Sequence, residues 1–271
     1  GFVDFQHGAG VTTLSSSSYY DDDVFILKLN SSGALVWIGQ IESPGSSSDF
    51  VEAHSVAVDG SGNVYISGYV SGGSTVDFDP TEGVANLATA TGGQGAQHEI
   101  WILKLDSAGD YVWAKASSCP GSAGAYTGLA GKPGSDRGLA VDDSGNVYAV
   151  GSFTQRHYND SYDCDFDPGP GEGFAQVGTN PRLSTLVWKL DSSGNYQWAK
   201  AFLKTEGDSN SPSSVAVDGS GNVYTTGQFL GTIDFDPGAG TATMTAGTLN
   251  AGNWSGNSAF LSKLDSSGNY V

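Results

Sequence analysis

The sequence predicts an all-β chain of β-propeller blades with antiparallel strands, in about 3.5 repeats of 75–85 residues. Three observations predict it: phrases recurring in one cyclic order, short strand-like segments closed by glycine turns of one design, and no sustained 3.6-residue apolar period. The first phrase, Val56-Ala57-Val58-Asp59-Gly60-Ser61-Gly62-Asn63-Val64-Tyr65, returns over Leu139 to Tyr148 and Val215 to Tyr224. A second centres on Lys28, Lys104, Lys189 and Lys263, spaced by 76, 85 and 74 residues. The third, Val76-Asp77-Phe78-Asp79-Pro80, is echoed from Cys164 to Pro168 and from Ile233 to Pro237, and more briefly at Val3-Asp4-Phe5-Gln6. These phrases divide a single propeller segment, 1–271, into units at about 1–53, 54–135, 136–212 and 213–271, the outer two partial. Three and a half units do not close a ring of four. The expectation is therefore a piece of a larger propeller or repeat array, or a chain completed by strands from a partner.

Within a unit every element reads as strand. Asn63 to Val70 and Ile100 to Leu105 are short, β-branched and aromatic, and bounded by Gly, Ser, Asn and Asp. Seven hairpin-like turns set Gly33, Gly62, Gly109, Gly145, Gly194, Gly221 and Gly268 after Ser or Ala. Glycine there takes a positive φ without steric cost, and the Asp or Asn opening the turn bonds its own backbone. Around Lys28, the residues Phe25, Leu27 and Leu29 alternate with Val24, Ile26 and Lys28. Both faces are apolar, so the strand needs cover on both sides, as an interior blade does. Trp37, Trp113 and Trp198 recur at one place in the next strand. That register suits packing between blades better than a ligand site.

Composition excludes several classes. Eleven basic against 29 acidic residues give a net charge of −18, which disfavours nucleic acid as a partner. Forty glycines make the chain turn-rich, while six Trp, 12 Tyr and 12 Phe make it too aromatic for disorder. No apolar run approaches the roughly 18 residues of a membrane-spanning helix, so membrane insertion is not expected.

The phrases Val-Ala-Val-Asp-x-Ser-Gly-Asn-Val-Tyr-x-x-Gly and Lys-Leu-Asp-Ser-Ser-Gly-Asn-Tyr-x-Trp-Ala-Lys resemble the bacterial β-propeller repeat called SBBP. The inserted Val-Asp-Phe-Asp-Pro-Gly phrase is similar to a variant in secreted and surface proteins of Bacteroidetes. The resemblance spans nearly the whole chain. It implies four-stranded blades outside the cell, often within a larger protein that carries a C-terminal secretion signal, and it implies no reaction.

Candidate sites are few. Strand alternation sets Asp77 with Asp79, Asp165 with Asp167, and Asp234 with Asp236 on one face, and Asp163 extends the second pair. Hard oxygens at this spacing suit calcium; the alternative is that each second Asp caps the turn that follows it. Cys119 and Cys164 are the only cysteines, one in each of two neighbouring long connections. They are read as a disulfide, with two thiols as the alternative. Six of the eight lysines occupy repeat positions, with stems packed along strands and heads expected near repeat Asp residues. Tyr126, Arg137, Arg156, His157, Tyr158 and Tyr162 gather in the long loops as a patch for a sugar or a partner protein, or as ordinary loop content. No His pair has metal-ligand spacing, and the nucleophile elbow and phosphate-binding loop are both absent, so no catalytic residue is assigned.

The functional expectation is a non-enzymatic, extracellular structural, adhesive or binding module with no organic cofactor. Its expected partners are other segments of the same or a neighbouring chain, and a surface glycan or protein. Two rivals are a glycan hydrolase or lyase with its site at a propeller mouth, and a subunit of a cell-surface filament.

Overall fold

Turn chemistry organises the sheets. In all seven hairpins the opening Asp or Asn accepts, through Oδ1, the N–H groups two and four residues on; Asp59 takes those of Ser61 and Asn63, and Asp218 those of Ser220 and Asn222. The glycine that ends each turn has φ between 77° and 96°. The computed structural model describes residues 2–5, 12–16, 23–43, 50–71, 73–89, 98–119, 138–153, 164–175, 184–204, 210–247 and 257–271.

Among the described residues every regular element is a strand. The first unit holds β1 (Phe2–Asp4), β2 (Thr13–Ser15), β3 (Val24–Leu29) and β4 (Leu35–Ile41). The second holds β5 (Val51–Val58), β6 (Val64–Ser71), β7 (Thr75–Asp77), β8 (Asn86–Ala88), β9 (His98–Leu105) and β10 (Tyr111–Ala116). The third holds β11 (Gly138–Val141), β12 (Val147–Phe153), β13 (Ser184–Leu190) and β14 (Tyr196–Ala201), followed by β15 (Leu203–Lys204). The fourth holds β16 (Asn210–Val217), β17 (Val223–Phe229), β18 (Thr232–Asp234), β19 (Thr243–Thr245) and β20 (Ser258–Leu264).

The second and third units each form a four-stranded antiparallel blade, ordered β5-β6-β9-β10 and β11-β12-β13-β14. The fourth has three strands, β16-β17-β20, and the first has the last two, β3-β4. Between the second and third strands of a blade the chain makes a separate small hairpin, β7-β8 in the second unit and β18-β19 in the fourth. That insert explains why a unit outruns the roughly 40 to 50 residues of a familiar propeller blade.

The hydrophobic cores lie between blades. In β9, Trp101, Leu103 and Leu105 pack toward the first unit with Val24, Ile26 and Ile41, while Ile100 and Ile102 pack toward the third with Leu139, Leu186 and Trp188. A third cluster joins Val187 and Trp198 to Val223, Phe235 and Phe260. Cover on both faces, expected from the alternation, holds for the inner blades. In the first unit Val24 and Ile26 are buried, but Phe25 and Leu29 face solvent.

Each seam between blades closes with the same polar latch. Lys104 Nζ and Trp113 Nε1 donate to the Ser192 carbonyl of the next unit's turn, at 3.0 and 3.2 Å. Lys189 and Trp198 do the same to Ser266, and Lys28 and Trp37 to Ser107. The heads of Lys28, Lys104 and Lys189 thus bond turn carbonyls, and Lys189 and Lys115 also feel the repeat carboxylates of Asp142 and Asp191. Two of the latch lysines also lie over tyrosine rings of their own blade, Lys104 over Tyr65 and Lys189 over Tyr148, and Lys263 lies over Tyr224 in the same way.

The tryptophan ring lies directly on the receiving turn's glycine. A Cβ on Gly194 would stand 3.0 Å from the Trp113 ring and 2.9 Å from the Lys115 stem, whereas one on Gly33 would meet nothing within 4 Å. Both glycines have φ of 79°. Gly33→Ala is therefore expected to cost about 1 kcal/mol of backbone strain. Gly194→Ala should cost about 1–3 kcal/mol more, because the seam must open. Urea unfolding of the two variants measures the difference; equal losses would show that the ring does not press on the turn.

Candidate functional site

The Asp-Phe-Asp phrase builds a compact loop. Asp77 ends β7, and its Oδ1 accepts the N–H groups of Asp79 at 3.0 Å and Ala85 at 2.7 Å. Asp165 takes those of Asp167 and Gly173, and Asp234 those of Asp236 and Ala242. Each second Asp holds the turn beyond it: Asp79 accepts from Thr81, Asp167 from Gly169 and Asp236 from Gly238. β7 and β18 end at the first Asp, so the second Asp lies off the strand and the pairs do not stand side by side on a strand face. Asp4 accepts from Thr12 with the same eight-residue reach.

The loop's purpose is visible in its middle residue. Phe78, Phe166 and Phe235 are wholly buried and pack on Trp101, Trp188 and Phe260, with ring centroids 5.0, 5.8 and 4.9 Å apart. The insert is a plug in the seam between blades. Main-chain bonds tie it to the blade before: Leu203 and Lys204 pair with Asp234 and Ile233, and Ser118 exchanges both bonds with Asp165 at 2.8 and 2.7 Å. Cys119 and Cys164, the neighbours of that last pair, are joined as a disulfide across 45 residues.

Among the described residues no three His, Cys, Asp or Glu side chains gather as a metal cluster. Amide N–H groups meet the carboxylates of all three pairs. Asp163, Tyr126, Arg137, Arg156, His157, Tyr158 and Tyr162 lie outside the described residues.

A cavity that sequence reasoning missed opens between the third and fourth units. It has a volume of about 320 Å³ and is lined by Asp142, Asp143, Tyr148, Lys189, Asp218 and Ser266, among others. Most of its charged groups are already engaged. Asp142 Oδ2 accepts from Asn146 Nδ2 at 2.7 Å and from the Tyr148 hydroxyl at 3.0 Å. Burial pushes the Asp142 carboxyl up, but the bonds from Asn146, Tyr148 and Ser144 outweigh it and hold the group below the usual range. Asp218 is held down to about 2 by the Asn222 side chain and the turn's amides. Burial lowers the Lys189 ammonium, opposed by the Asp142 charge. Carboxylates tuned this low are poor proton acceptors near neutral pH, where a general base needs a pKa close to the working value. The signal that could have found the cavity was the repeat itself, since it lies where two copies of the Asp-x-Ser-Gly-Asn turn meet.

These blades, seams and inserts define an all-β repeat protein of β-propeller type. No family model matches the chain. An uncharacterized WD repeat-containing protein of Acanthamoeba polyphaga mimivirus is 28% identical to it over 239 residues, which is 81% of this chain. The chain spans 15% of the length of that relative. The likeness supports the propeller-like repeat reading and extends no further.

Two outcomes test the electrostatics. Calcium removal with EDTA should leave the melting temperature unchanged, because amide donors already balance the Asp pairs. A fall that added calcium reverses would show that a cation shares them. Acid should act strongly. The depressed Asp218 carboxyl binds its proton more weakly folded than unfolded, so its contribution is complete above about pH 4 and is lost as pH falls toward 2. Melting temperature followed from pH 5 to pH 2 should fall more steeply in the wild type than in Asp218→Asn.

Proposed function

We propose that the chain is a non-enzymatic scaffold of β-propeller type that acts outside the cell, presenting a binding surface for protein or glycan on a stiff stack of blades. The observation behind this reading is what the repeated polar groups do. The latch Lys and Trp of each complete repeat bond to the next blade's turn, and the turn-opening Asp and its Tyr bond to each other. Side chains so engaged serve rigidity, and recognition falls to non-repeated positions. The disulfide at the seam suits an oxidising compartment, and the resemblance of the phrases to secreted bacterial propellers points the same way.

Antibodies against the folded chain should label intact cells of the source without permeabilisation. Label that appears only after permeabilisation would overturn the extracellular reading. Reduction gives a second measurement. The disulfide closes a loop with a sequence separation of 45, so Cys119→Ser with Cys164→Ser should lose about 2–4 kcal/mol in urea unfolding.

A further inference from the structure

The cavity between the third and fourth units is walled by three turns of one design, which open at Asp142, Asp218 and Asp265. Each turn is complete, its opening Asp holding the amides two and four residues on. The lining follows the repeat at every position but one. Asp143 stands where the other copies of the phrase carry Gly60 and Gly219. A Cβ on either glycine would meet nothing within 4 Å, so the turn accepts a side chain there without needing one.

Asp143 is also the charged group of the lining that has no partner among the described residues. Asp142 and Asp218 are saturated: Oδ1 takes two turn amides, and Oδ2 takes an Asn side chain and a tyrosine hydroxyl. Those bonds hold both carboxyls below the usual range, so both stay anionic at neutral pH. Lys189 Nζ donates to the Ser266 carbonyl and lies 5.0 Å from the Tyr148 ring centroid. The hydroxyls of Ser144, Ser220 and Ser266 bond no other described residue. What the cavity offers a visitor is therefore one free carboxylate, serine hydroxyls on the surrounding turns, and three anions against one cation.

We propose that this cavity receives an arginine side chain of a partner protein, its guanidinium paired with the Asp143 carboxylate through two hydrogen bonds and its remaining N–H groups donating to the serine hydroxyls. Charge complementarity selects a cation. A metal ion does not suit, because the oxygens of Asp142 and Asp218 are taken by N–H and O–H donors and no three ligating side chains gather among the described residues. A sugar would stack on an open aromatic face, and the one ring in the lining, Tyr148, is covered by Lys189. A volume of about 320 Å³ exceeds what a compact ammonium fills, and acceptors spread over several turns match the five donors of a planar guanidinium. This reading rests on the scaffold proposal and deepens it, since it names the partner's chemistry and sets recognition at a non-repeated position.

Titration of the 271-residue chain with N-acetyl-arginine amide tests it, read from the amide NMR shifts of residues 142–146 and 218–222. Those shifts should saturate, and the neutral isostere N-acetyl-citrulline amide should bind at least about tenfold more weakly. A chain of net charge −18 attracts any cation, so two variants separate the site from the general field. Asp143→Gly and Asp110→Asn each remove one charge, and each installs what other copies of the turn carry, Gly60 and Gly219 or Asn195 and Asn269. Both should therefore fold, and unchanged thermal melts would verify it. Asp143→Gly should weaken the arginine probe at least about tenfold, while Asp110→Asn should leave it within about twofold. Shifts that never saturate at these turns would overturn the proposal, as would citrulline binding as tightly as arginine. So would Asp143→Gly losing no more than Asp110→Asn. None of these results would touch the cell-surface labelling, which tests the scaffold reading separately.

Discussion

The architecture depends on one contact: a tryptophan ring resting on the glycine of the next blade's turn, with that turn's serine carbonyl receiving an indole N–H and an ammonium. Several sequence requirements follow from it. The turn must be narrow and left-handed at its last position, and the ring leaves no room for a Cβ, so only glycine serves. The carbonyl must be held outward, which the opening Asp does by taking the turn's other amides. The lysine must cross a buried seam, and it does so with its head over a tyrosine ring whose hydroxyl bonds the Asp of its own blade's first turn, as Tyr65 bonds Asp59 and Tyr148 bonds Asp142. Burial, then the neighbouring carboxylate, raises the pKa of both phenols, so each remains a donor across the physiological range.

The insert solves a second packing problem. Two twisted sheets stacked face to face diverge at their edges. A rigid loop carrying one phenylalanine fills that wedge from the side. It keeps its shape without help because the first Asp of the phrase closes an eight-residue span with two amide bonds. The second Asp is pressed against a loop glycine: a Cβ on Gly83, Gly171 or Gly240 would come within 2.0–2.3 Å of its Oδ2. In the folded loop the Oδ1 atoms of all three Asp pairs receive backbone N–H groups, a strong use of a negative oxygen.

Much of this was legible in the chain. Alternation of Phe25, Leu27 and Leu29 against Val24, Ile26 and Lys28 announced a strand needing two neighbours, and recurrence of Trp37, Trp113 and Trp198 announced the seam. Two things were not legible, for physical reasons. A carbonyl acceptor has no side-chain signature, so the partner of Lys104 and Trp113 could not be read from Ser192, whose repeat looked like ordinary turn content. Nor does periodicity report where a strand ends. Asp77 and Asp79 share a strand face only while the strand continues, and β7 ends at Asp77.

A stack held by nearest-neighbour seams distributes its stability unevenly. Among the described residues each inner blade is clamped by two latches and the first and fourth units by one. What stabilises an inner blade is an apolar face ringed by a donor on one side and an acceptor on the other.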